Sequence, residues 1–147
     1  MHAVARSAVA GAMLMSGCGD SPKSQGDSSN VLVCRILASQ YSPTDFVRCD
    51  AVITTVLNDD RISLSPKQQS EGIISQGIWF SASRIDTVDG SRCAYSSRVG
   101  AEYFSNYDRF LKEMKSVSLD QMMSEFQSCI SSVEAAAGGF DTLRRAN

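Results

Sequence analysis

The chain has 147 residues, with 14 Lys and Arg against 16 Asp and Glu, and a net charge of −2 at pH 7. That balance excludes the basic footprint of a nucleic-acid binder. His2 is the one histidine, so every later residue is without an imidazole for Ser-His-Asp or Cys-His catalysis, or for metal ligation.

Residues 1–17 read as an export signal. His2 and Arg6 make a weakly basic start, and Ala8 to Met15 is an apolar run. It is far shorter than the roughly 20 residues that span a bilayer as a helix. A short apolar core ending in small residues is the pattern of a cleaved signal, not of an anchor helix. Leu14-Met15-Ser16-Gly17-Cys18 closes it and resembles the lipobox of bacterial lipoproteins. In that family the cysteine thiol takes a diacylglyceryl group. The peptide is cut just before the cysteine, and the new amine is acylated too, with palmitate a common chain. The resemblance implies lipidation at Cys18. Two or three acyl chains hold a protein stably on a membrane where one chain does so marginally. By analogy with Gram-negative sorting, Gly19 in place of an Asp implies the outer membrane, facing the periplasm, although Asp20 follows one place later. Removing residues 1–17 leaves 130, enough for one domain with a real core, and a net charge of about −3.

With Cys18 lipidated, Cys34, Cys49, Cys93 and Cys129 remain. Four cysteines in an oxidising compartment read as two disulfides. A zinc site wants close CxxC pairs, whereas the gaps here are 15, 44 and 36 residues, so no metal is expected. Three pairings are open. Chain order alone favours Cys34–Cys49 with Cys93–Cys129.

Residues 18–30 are the lipidated cysteine and a polar stretch with nothing to bury, which predicts a flexible tether. Residues 31–147 form the domain. Val31 to Leu37 is a short apolar run that suits a helix or a strand; with Asn30 as N-cap it is read as a short helix. Ser42-Pro43-Thr44-Asp45 is a helix start, and Phe46, Cys49, Ile53, Val56 and Leu57 follow at helical spacing. The β-branched run from Val52 to Val56 argues mildly for a strand. Asn58-Asp59-Asp60 ends this helix. Ser65-Pro66-Lys67-Gln68 opens another, with Ile74, Ile78, Ala82 and Ile85 on one face, Trp79 beside them, and Gly72 and Gly77 weakening it.

Asp86 to Gly90 is a fork. Asp89-Gly90 is a hairpin turn signal and Arg92 to Val99 alternates polar and apolar residues. The stronger upstream caps favour helix–loop–helix over a hairpin. Tyr103, Phe104, Tyr107, Phe110, Leu111 and Met114 form an apolar stripe, read as packing into the core. Ser118 and Gln121 cap a last long helix carrying Met122, Phe126, Cys129, Ile130 and Val133, stopped by Gly138-Gly139. Phe140 and Leu143 anchor the tail. The fold class expected is all-α, a small disulfide-linked helical domain, with an α+β hairpin around Asp89-Gly90 as the alternative.

Candidate chemistry is sparse. Asp59-Asp60 and Asp86 with Asp89 are carboxylate pairs of the kind used in glycoside hydrolysis, but helix ends and loops explain them as well. No catalytic residue and no cofactor is expected, and the chain is read as a binding protein, not an enzyme. Cys49, then Gln76-Gly77-Ile78-Trp79, then Arg84, Cys93, and Cys129 ahead of Leu143 resemble the LprI-type lysozyme inhibitor family. Arg84 stands one place farther from Trp79 than in that family. The resemblance implies a small, helical, disulfide-linked envelope protein that inhibits a lysozyme-like cell-wall hydrolase. Trp79, Arg84 and Arg92 are the candidate contacts, since Trp and Arg dominate interface hot spots. The alternative role is an accessory or assembly lipoprotein of a secretion, conjugation or outer-membrane complex.

Overall fold

The computed structural model describes residues 29–83 and 101–145. They form six helices: α1 (Ser29–Gln40), α2 (Pro43–Leu57), α3 (Pro66–Ser83), α4 (Ala101–Met114), α5 (Leu119–Ala137) and α6 (Phe140–Arg145). There is no strand among the described residues. The all-α expectation holds. The fork at Asp86 to Gly90 lies outside the described residues, as do Cys18, Arg84, Arg92 and Cys93.

The helices start where the local chemistry directs. Ser42 accepts from the Asp45 N–H at 3.3 Å while Asp45 Oδ2 accepts from the Ser42 N–H at 2.8 Å, a reciprocal capping box. Ser65 and Gln68 make the same exchange at α3, at 3.2 and 3.0 Å. Ser118 accepts from the Gln121 N–H at α5. Gly138 closes α5 with φ +68, the left-handed turn that glycine adopts without a Cβ penalty. α1 begins at Ser29, so Asn30 stands inside the helix and is not its cap. Helix starts shift by a residue or two in this way.

α2 is the central element. It packs on α3, α4 and α5, and Phe46, Val47, Asp50, Ala51, Val52, Ile53 and Val56 are all buried along it. One side faces the main core of Trp79, Phe126, Leu37 and Met122. The other side, Val47 and Ala51, faces Tyr103 and Phe110 of α4. A helix covered on two sides needs an almost unbroken apolar sequence. This explains the β-branched run that suggested a strand.

Trp79 sits at the centre and is fully buried. Its ring packs against Phe46 and edge-on to Tyr41. Its Nε1–H donates to the Cys129 carbonyl at 3.1 Å. Beside it a disulfide joins Cys49 of α2 to Cys129 of α5, with Cα atoms 5.6 Å apart. The sequential pairing expected from chain order is therefore corrected. Cys49 meets Cys129 because α2 and α5 lie side by side. Cys34 is buried and also disulfide-bonded; with Cys49 and Cys129 joined to each other, its partner lies outside the described residues.

α3 approaches closely at Gly72. A Cβ there would stand 3.2 Å from both the Phe126 ring and Leu57 Cδ2. Gly72 thus lets side chains of α5 and α2 lie tight against α3, while Gly77 faces open space.

Candidate functional site

Two features of the α2–α3–α4 region stand out from the core. The first is a buried polar cluster. Asp50 is 3% exposed, inside the second α2 interface. The Tyr103 hydroxyl, from α4, donates to its Oδ2. Thr54, one turn along α2, donates to Oδ1 at 3.4 Å, and Gln76 Nε2 of α3 donates to Thr54 Oγ1 at 2.6 Å. Burial raises the Asp50 pKa above the usual carboxylate range, and the bonds from Tyr103, Gln76 and Thr54 pull it partway back. Burial likewise raises the Tyr107 phenol nearby.

The second feature is a cleft of about 180 Å³ where the start of α2, the end of α3 and the start of α4 meet. Pro43, Val47, Ala82, Glu102, Tyr103 and Asn106 are among its lining residues. Small-molecule sites run to roughly 300–1,000 Å³, so the cleft is undersized for one. Tyr103 belongs to both features, but its hydroxyl is engaged by Asp50. Phe104, next in sequence, turns outward with 58% exposure and meets the Tyr103 ring edge-on at 5.4 Å. Exposed aromatic side chains of this kind are enriched at protein contacts.

The residues singled out from sequence fall elsewhere. Trp79 is corrected: a fully buried indole bonded to a backbone carbonyl offers no surface to a partner. Its size and apolar character fit a core as well as an interface, and the sequence pattern is the same for both. Arg84 and Arg92 lie outside the described residues, as do Asp86 and Asp89. Asp59 is held by Arg61 through Nη2–Oδ2 at 2.6 Å and Nε–Oδ1 at 2.9 Å. Those bonds lower its pKa to about 2, the opposite of what a general acid requires. Asp50 is the feature the sequence reading misses, and Phe104, expected to pack into the core with its stripe, turns outward instead. The signal for Asp50 was there: it is the one charged residue between Cys49 and Leu57.

A half-buried ion network braces α2, α4 and α5 from outside. Arg48 of α2 grips Glu125 of α5 with a fork of bonds at 2.8–3.1 Å and reaches Glu113 at 3.0 Å. Its guanidinium also lies over the Phe110 ring at 5.3 Å. Among the described residues no cluster of three or more His, Cys, Asp and Glu is placed to hold a metal, and no helix is long and apolar enough to cross a membrane.

No family description, no curated protein and no solved structure matches this chain.

Proposed function

We propose that this chain is a lipid-anchored protein of the bacterial cell envelope that acts by binding another protein, a lysozyme-like cell-wall hydrolase. The lipobox-like sequence ending at Cys18 supports the anchor. The observation that carries the binding role is the exposed Phe104 ring, set edge-on against Tyr103 on the surface of α4. The order of Cys49, Gln76, Trp79, Arg84, Cys93 and Cys129 resembles the LprI-type lysozyme inhibitor family, and that resemblance supports the choice of hydrolase. A mature charge of about −3 complements the basic surface usual for lysozymes. Arg84 and Arg92 remain proposed contacts, and Trp79 contributes by holding α2, α3 and α5 together.

The test is titration of the oxidised chain from Gly19 onward into a lysozyme turbidity assay. Inhibition is expected, lost on reducing the disulfides and weakened about tenfold or more by Phe104→Ala, the cost of an aromatic hot spot. Phe104 is exposed, so this variant folds as the parent does. No inhibition at tens of micromolar removes the hydrolase. An accessory role in an envelope complex then leads, and crosslinking in native membranes is the next measurement.

A further inference from the structure

Among the described helices, α1 stands nearest in sequence to Cys18. Ten residues separate that cysteine from Ser29, and even fully extended they cannot carry the start of α1 more than about 40 Å away. α1 has an inner face, Val33, Cys34 and Leu37, buried in the main core against its neighbours α3, α5 and α6. Its outer face carries Leu32 at 50% and Ile36 at 40% exposure, one helical turn apart, with exposed Arg35 beside them. α1 also differs from the other helices in charge. Its twelve residues include no acid and one Arg, whereas each of α2 to α6 carries at least one Asp or Glu. In a chain of net negative charge, α1 with its one Arg and α6 with two Arg against one Asp are the helices of net positive charge, so α1 is not repelled by anionic lipid.

From these three observations we infer that the outer face of α1 rests on the membrane surface. Leu32 and Ile36 enter the boundary between headgroups and acyl chains, and Arg35 lies at headgroup level. The inference builds on the lipid anchor proposed at Cys18. It adds an orientation: α1 toward the bilayer, and α4, which shares no main interface with α1, away from it. An apolar face buried in this way sits roughly 5–10 Å into the boundary region. Two aliphatic side chains are too few to hold a protein there unaided, so the acyl chains provide attachment and α1 provides the posture.

The test uses the full, processed chain in vesicles of phosphatidylethanolamine and phosphatidylglycerol brominated in their acyl chains. Bromine quenches a nearby indole. Three proteins are compared: the parent, Ile36→Trp, and Lys112→Trp on exposed α4. Buried Trp79 is the shared background. Intact mass reports acylation first. The expected result is an acylated protein in which the emission added at position 36 falls by about half, while that added at 112 is unchanged. Equal quenching at both positions, or at neither, overturns the inference and leaves the anchor standing. Emission at 36 that is already blue-shifted without vesicles, and rises with protein concentration, assigns the face to a second copy and also overturns it. A mass without acyl chains removes the anchor, and the inference with it.

Discussion

Asp50 is a carboxylate placed where a carboxylate is costly. Burial raises its folded pKa above the unfolded value of about 3.9. A raised acid favours the folded state below its unfolded pKa, and that contribution is lost as pH rises through the folded pKa. The domain should therefore resist denaturant better near pH 4 than at pH 7, as far as Asp50 decides. Asp50→Asn keeps an acceptor for Tyr103 and should remove that slope, as denaturation followed at both pH values would show. Tyr103→Phe takes away the main donor and should cost about 1–3 kcal/mol at pH 7. The Ser75 hydroxyl is the simpler case: fully buried and without a hydrogen-bond partner. Ser75→Ala should raise stability by about 1 kcal/mol. The two helix glycines separate in the same experiment. Gly77→Ala, into open space, should gain up to about 1 kcal/mol. Gly72→Ala should fall below it by about 1–3 kcal/mol, because the new methyl crowds the Phe126 ring.

At the scale of helices, the starts were readable because each rests on a contact within three residues. Ser42 with Asp45, Ser65 with Gln68 and Ser118 with Gln121 need nothing from the rest of the fold. Ser42→Ala should accordingly cost about 1 kcal/mol, measurable as a lowered midpoint in thermal unfolding. What escaped reading was which helices cover which. The face from Phe46 to Leu57 was legible, but Val47, Asp50 and Ala51 are buried because α4 closes the opposite side. That depends on a distant helix, and periodicity within α2 carries no trace of it. Gly72 was read as a weak point of α3 for the same reason; its meaning lies 3.2 Å away on α5.

Among the described residues α2 is the hub: the Cys49–Cys129 bond and the Arg48–Glu125 pair join it to α5, and the Trp79 indole packs on its Phe46 while bonding α3 to α5. The bridge closes a separation of 80 residues. In chain-entropy terms that contributes on the order of 4 kcal/mol, against about 3 for the 15-residue loop of the sequential alternative. Replacing both cysteines by serine should lower the unfolding free energy by about that amount. The candidate site was less legible than the fold. Phe104 shares a stripe with Tyr103 and Phe110, and only packing shows that one ring turns outward while the other two are buried.

The crossing of that bridge over the chain sets a problem of timing. A ribosome delivers Cys34 and Cys49 long before Cys129 exists. With Cys18 taken by the proposed lipid, the first two thiols to meet are fifteen residues apart and are the wrong couple. Holding Cys49 unreacted, or freeing it again by thiolate exchange, is then a condition of reaching the native protein. The yield of correctly joined molecules should follow the supply of a disulfide isomerase more than the strength of the oxidant.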